Sequence, residues 1–337
     1  MREMYAVNQV VAAVDPSFAQ LIQVNNHGYG ILAWHASAAQ QEAYFPKLVS
    51  EGLLVGIAGS EAKIGSADSG NRGAELAESD SGWHLTTTKY FASLGPGAAY
   101  YLVMAAIPGS APYNERQVFV MVPTDAPEVT LEDNWDAMGM RSTVSWTLRI
   151  EGLPVSSDQI IGEPGGWLRD PRSFTCGYVS NHLGAARGAL DFARDWVRAR
   201  PSLSASEIVR NKLADMAARV TVVQSAFGVA VSNWERAAAM GWDQEACDDA
   251  ELLSLQILHQ AKHEAMFVIS SAFEICGARS AFKTFPLEQL LRDTRTFTLH
   301  SRDELLMSRV ADTLLSDESF SVKGLNISPD GVADASA

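Results

Sequence analysis

Hydrophobic and polar positions change their spacing twice along this chain. At the start apolar residues recur at helical intervals, as in Tyr5, Val7, Val11 and Val14, and Asp15-Pro16-Ser17 then supplies a break and a cap. A second helix is expected from Phe18 towards Trp34, against the local cost of Gly28 and Gly30. A third is expected over Ala38–Leu48, with Ser37 as N-cap and Gly52 as its stop. From about Leu53 the texture becomes short β-rich runs: Leu53–Ala58, Trp83–Phe91, Tyr100–Ile107, Gln117–Pro123 and Ser145–Ile150. Turn-forming clusters separate them, such as GPG at 95–97 and PGSAPYNE at 108–115. That pattern predicts antiparallel strands in a small barrel or sandwich.

Beyond about Asp170 long helical periodicity returns. Leu183, Ala186, Leu190, Ala193 and Val197 fall on one stripe, and Leu213, Met216, Val220, Val223, Phe227 and Val231 on another. Leu252 to Phe273 is apolar on more than one face, as a central helix would be. A fourth helix is expected to begin after Pro286 and to run past Leu315. The fold class is therefore α+β: N-terminal helices, a central antiparallel β-barrel or sandwich, and a C-terminal four-helix bundle. The expected boundaries are a shortened helical domain over 1–54, a β-domain over 55–165, a bundle over 166–322 and a flexible tail over 323–337.

Composition narrows the class. The 337 residues are 47% hydrophobic and 20% charged, with a formal charge of −14. So acidic a chain argues against nucleic-acid or anionic-membrane partners. Cys176, Cys247 and Cys276 form no CxxC pair, and the opening MREMYAVNQVVAAVD has no signal-peptide pattern, so a reducing cytoplasm is expected. No run approaches the length of an apolar membrane span. Nucleotide, phosphate-loop, serine-hydrolase and zinc-protease signatures are absent. His259 and His263 have metal-ligand spacing but no evident third ligand, so no metal site is expected; His35, His84 and His182 read as structural.

Five strings, in order, carry a resemblance. They are GSEAKIGSADS (59–69), WHLTTTKYFASLG (83–95), NWDAMGMRST (134–143), NHLGAARGALDFARDWVRAR (181–200) and FPLEQLLRDTR (285–295). Together they resemble the flavin turn, flavin strand, Gly-Met-Arg segment, first bundle helix and Arg-Asp segment of the acyl-CoA dehydrogenase superfamily. The resemblance implies a bound flavin, FAD or FMN, and a homo-oligomer, tetramer or dimer. It implies Ser60, Phe91 and Ser93 at the isoalloxazine, with Arg198 and Gly277 nearer the phosphate or adenine end. Glu274-Ile275-Cys276-Gly277-Ala278 stands where the family has Gln-x-x-Gly-Gly, a loss of one glycine and a gain of negative charge that leaves FMN open beside FAD.

The departures bear on the reaction. A dehydrogenase needs a carboxylate to take the α-proton of an acyl thioester. Counting from Asp293, the family's glutamate position holds Ser301, and the alternative position on the first bundle helix, about Phe174–Thr175, holds no carboxylate. Glu304, nearly a turn on, reads as solvated helix surface. LRDTRTFTLHS instead resembles the dibenzothiophene monooxygenase-like branch of the superfamily, with His300 beside the vacated position, Ser93 beside flavin N5 and His27 as a second active-site histidine. The function this implies is an O2-using flavin monooxygenase acting through a C4a-(hydro)peroxyflavin on a small organic or CoA-thioester substrate. A separate flavin reductase would supply it. An acyl-CoA dehydrogenase with a non-standard base, or a non-catalytic subunit of a hetero-oligomer, stays open at this stage.

Overall fold

The structure, a computed structural model, describes residues 1–61, 73–79, 82–172, 174–301, 303–315 and 319–322. Most of the 59–69 string and the tail at 323–337 lie outside the described residues. Helices α1 (Arg2–Ala12), α2 (Pro16–His35) and α3 (Ala38–Ser50) open the chain. Strands β1 (Leu54–Ala58), β2 (Ala77–Ser79), β3 (Gly82–Ala92), β4 (Ala98–Ala106), β5 (Gln117–Pro123), β6 (Val129–Glu132), β7 (Trp146–Val155) and β8 (Ile160–Ile161) follow. Then come the single-turn α4 (Gly166–Arg169), α5 (Thr175–Arg198), the single-turn α6 (Pro201–Ser204), α7 (Glu207–Ala239) and α8 (Gln244–Cys276). The chain's last described helices are α9 (Leu287–Phe297) and α10 (Asp303–Leu315).

These elements form two compact units. The helical unit comprises Met1–Gln20, Ala137–Ser142 and Pro171–Val322. The β unit comprises Leu21–Asp136 and Thr143–Asp170, so α2 gives its first residues to one unit and the rest to the other.

In the β unit the strands make two four-stranded sheets, ordered β1-β4-β5-β8 and β2-β3-β7-β6. Val103, Val120 and Val122 of the first share one core with Leu85, Leu148 and Ile150 of the second. Among the described strands the pairings are antiparallel except β1 with β4, which is parallel, as is an isolated bridge between Glu75 and Ala106. The glycines of α2 do not stop it, because Gly28 has a packing reason: a Cβ there would lie 2.9 Å from the Val55 carbonyl oxygen. Asn25 Oδ1 accepts the Val55 amide at 3.0 Å across the same contact. Ser37 caps α3 in a reciprocal box with Gln40, as its sequence position predicts.

In the helical unit α8 packs against α5, α7, α9 and α10, the central place its apolar faces predicted. One core runs through Ala189, Ala193, Met216, Val220, Ala265 and Ile269. The fourth helix departs from expectation. Instead of running unbroken past Leu315 it stops at Phe297 and restarts at Asp303. The Thr298 hydroxyl donates back to the Arg295 carbonyl, and the buried Lys262 ammonium donates to the Ser301 carbonyl at 3.0 Å. Both draw the backbone away from helical pairing.

Candidate functional site

In the β unit the end of β3 and the start of β7 hold an unusual concentration of strained backbone. Phe91, Leu94 and Val144 have φ of 59°, 82° and 45°, a region bulky side chains seldom adopt. The β3–β7 register shifts between Lys89 and Ala92. The two segments are clamped: the Leu94 amide donates to Thr143 O at 2.9 Å. The buried Tyr101 hydroxyl sits 3.0–3.1 Å from the carbonyls of Ala92, Ser93 and Gly95. Such strain, clamped by surrounding bonds, makes this segment a candidate site.

The strain puts two different surfaces side by side. Phe91 is 62% exposed, with the Trp135 ring meeting it edge-on at 6.0 Å. Ser93 Oγ lies 2.9 Å from Ser145 Oγ, which lies 2.7 Å from Thr143 Oγ1. Thr143 and Ser145 are buried. Ser60 is exposed, and its carbonyl accepts the Tyr90 amide at 2.8 Å, tying it to β3. The next residue, Glu61, collects the Ala74 amide, the Thr87 hydroxyl and the buried Lys89 ammonium on one carboxylate oxygen. His27 lies in the same unit, buried on α2.

In the helical unit the break after α9 places His300 outside the helix. Its ring lies 4.9 Å from Tyr178 and 5.5 Å from Phe297, and His182 meets Phe297 at 5.0 Å. His300 keeps an exposed flank, yet desolvation by the protein packed around the ring, with a smaller repulsion from the Lys262 ammonium, pushes its pKa down to about 4. Water at the exposed flank offsets part of that penalty, but the direction is a neutral imidazole at neutral pH. Burial likewise pushes the Tyr178 hydroxyl up to about 12, the Glu251 carboxylate adding to it.

Two further details concern a base. Glu304 is exposed on α10, as its sequence position suggested. The buried Glu251 of α8 accepts the Thr175 hydroxyl at 2.6 Å, so the tertiary structure delivers a carboxylate to a stretch of α5 that lacks one.

Arg198 is exposed in the last turn of α5, 3.9 Å from Asp195, while Arg200 stacks on Trp196 at 3.6 Å. Gly277 follows α8 with φ 74° and open space where a Cβ would project. Arg200, two residues after Arg198, acts electrostatically on Cys276, next to Gly277, so these chain segments lie at the same end of the bundle. The Arg-Asp segment is a clamp: Asp293 accepts the Met140 amide at 2.6 Å and Arg292 donates to Met138 O at 2.9 Å. His259 and His263 pair ring to ring at 4.5 Å, and no group of three metal-binding side chains occurs among the described residues.

The structure thus joins Ser93 to Phe91 within one unit, and groups His300 with aromatic rings in the other. It adds Lys262, Tyr178, Ser145 and Thr143. Lys262 had a legible signal, a cation inside the apolar stretch from Leu252 to Phe273. The hydroxyl chain had none, since two separated strand ends build it.

Residues 56–153 match the acyl-CoA dehydrogenase middle domain and residues 176–303 the acyl-CoA dehydrogenase C-terminal domain. The chain belongs to the acyl-CoA dehydrogenase superfamily. It is 26% identical to a dibenzothiophene monooxygenase of Mycolicibacterium goodii, over 91% of this chain and 78% of that protein. It is 28% identical to a probable acyl-CoA dehydrogenase of Mycobacterium tuberculosis, over 86% and 74%. The dibenzothiophene monooxygenase of a Paenibacillus strain, solved with FMN and indole, shares the fold at a TM-score of 0.84. That comparison covers 95% of this chain and 84% of the other at 22% identity.

Proposed function

We propose that this member of an oxidoreductase family is a flavin-dependent monooxygenase that uses O2 on a small organic substrate. The observation that carries this reading is the loop after α9. Where a dehydrogenase of this family has its glutamate stands Ser301, its carbonyl committed to Lys262, and beside it His300 against the rings of Tyr178 and Phe297. That arrangement offers an imidazole for hydrogen-bonding to an oxygen species and lacks the carboxylate with which the family's dehydrogenases remove a carbon-bound proton.

The β3 end fits a flavin ring on its chemistry: an exposed aromatic face at Phe91 next to the Ser93 hydroxyl, which can give or take a hydrogen bond. Ser60 and Phe91 would pack on the ring and Ser93 would face N5, with Arg198 and Gly277 at the phosphate end. A reduced flavin, when bound, supplies the electrons that activate O2. His300 would hold a proton near the reacting oxygen, and His27 would contribute a second imidazole. Tyr178 and Phe297 would exclude water beside His300. FMN accompanies the Paenibacillus relative, and either FMN or FAD fits here. A separate reductase and a homo-oligomer, tetramer or dimer, complete the proposal. The domain limits at 54, 165 and 322 and a reducing cytoplasm, where three buried free cysteines are at home, go with it. Among the described residues no helix is long and apolar enough to cross a membrane.

Glu251 favours a second reading, an acyl-CoA dehydrogenase whose base reaches in from α8 beside Thr175. One pair of experiments separates them. Reduced FMN, 18O2 and indole or dibenzothiophene should yield labelled product; acyl-CoA alone, without oxygen, should leave oxidised flavin coloured. Bleaching of the flavin by acyl-CoA, with no label incorporated, would reverse the assignment.

A further inference from the structure

Ser93 is the end of a row of three hydroxyls, Thr143, Ser145 and Ser93, spaced 2.7 and 2.9 Å apart. Each hydroxyl has one hydrogen to give and can accept another. Along such a row donation runs one way at a time. If Ser93 donates outward it accepts from Ser145, which accepts from Thr143. If Ser93 accepts from outside, its own hydrogen turns to Ser145 and the row reverses. Only rotations about Cβ–Oγ bonds are needed, and no O–H bond breaks.

A flavin asks for both directions. N5 of the oxidised ring is an imine nitrogen that accepts a hydrogen bond, whereas N5 of the reduced ring carries a hydrogen and donates. We propose that Ser145, supported by Thr143, is a positioning residue that lets Ser93 switch from donor to the oxidised flavin to acceptor from the reduced one. The inference rests on the placement of Ser93 at N5 given above. The surroundings favour a dedicated device. Ser145 and Thr143 are buried, and the Val144 backbone between them is held at φ 45°. That strain is maintained against a β-branched side chain. Leu94 N to Thr143 O ties this segment to the residue after Ser93.

The two flavin states should feel the loss of Ser145 unequally. With oxidised flavin, Ser93 still donates to N5 and forfeits only an acceptor bond. With reduced flavin, the Ser93 hydrogen is left without its buried partner, the costlier defect. Flavin-loaded protein stripped and reloaded with FMN, oxidised in air or dithionite-reduced under argon, gives both affinities by tryptophan-fluorescence titration. Ser145→Ala should weaken reduced FMN about five- to tenfold relative to oxidised FMN. Ser145→Thr should keep the wild-type ratio. In a Ser93→Ala background, Ser145→Ala should add nothing. Should Ser145→Ala not fold, Thr143→Val carries the same prediction with a smaller change in the ratio. Equal weakening of both flavin states by a folded Ser145→Ala would show a structural role and overturn the relay. If Ser93→Ala itself changed neither affinity, the placement of Ser93 at N5 would fall and the relay with it.

Discussion

His300 leaves the end of α9 with its ring against Tyr178 and Phe297, and that packing sets how it titrates. In the unfolded chain the ring takes up a proton below about pH 6.5; in the folded protein desolvation by the packed rings lowers that value towards about 4, less the share that water at its exposed flank restores. Between those values the unfolded state binds more protons, so this residue makes stability fall on acidification from neutral pH and recover as pH rises. Thermal melts between pH 7 and 4.5 should show that slope, and His300→Asn should flatten part of it. In turnover, His300→Ala should raise uncoupled hydrogen peroxide release and cut product roughly 10²-fold, the scale of positioned acid–base catalysis. Flavin affinity should stay near normal; unchanged coupled turnover would argue for the dehydrogenase reading. Lys262→Met removes both the anchor on Ser301 and the neighbouring positive charge. The His300 pKa, read by NMR of ring-labelled histidine, should then rise, while Lys262→Arg should keep it low. The sequence singled out His300 by its place after the Arg-Asp segment. Its aromatic neighbour Tyr178 is far away along the chain and had no signal of its own.

At the scale of elements, periodicity identified α2, α3, α5, α7, α8 and the five main strands. It did not identify β2, β6 or β8, which have two to four residues each and too few alternations to carry a period. The break between α9 and α10 was equally hidden, because its cause is a lysine on another helix reaching the Ser301 carbonyl. Contacts of this kind also explain the Gly-Met-Arg segment. A Cβ on Gly139 would lie 2.0 Å from the Arg292 carbonyl oxygen, with Asp293 holding the Met140 amide alongside. Gly139→Ala should therefore force the segment off α9 and cost about 1–3 kcal/mol as overpacking does. Calorimetry or denaturant melts would register that as a lower transition. A variant as stable as wild type would show that the clamp is slack.

For the molecule as a whole, exposed apolar residues bear on assembly. The helical unit exposes Ile208, Val222 and Val229 along α7, spaced by multiples of seven and hence on one stripe. These exposed apolar positions, with Asp215 between Ile208 and Val222 on the same row, lie on a helix that already buries another face and suit a second copy of the chain. Light scattering at micromolar concentration should give a mass above the monomer's, and Val222→Glu with Val229→Glu should lower it. A monomeric wild type would remove the oligomer from the proposal.

What the sequence determined by itself was the order helix, sheet, bundle and the family, because spacing and short strings are properties of neighbouring residues. It also singled out Phe91 and Ser93 at the end of a strand and His300 after the Arg-Asp segment, although it put His300 inside an unbroken helix. What only the tertiary structure decided was the company those residues keep. The bond from Lys262 to the Ser301 carbonyl, the Glu251 carboxylate at Thr175 and the Ser93–Ser145 pair each join groups dozens of positions apart. No periodicity records such pairs, since a hydrogen bond depends on distance in space and a hydroxyl or ammonium takes its role from what is folded against it.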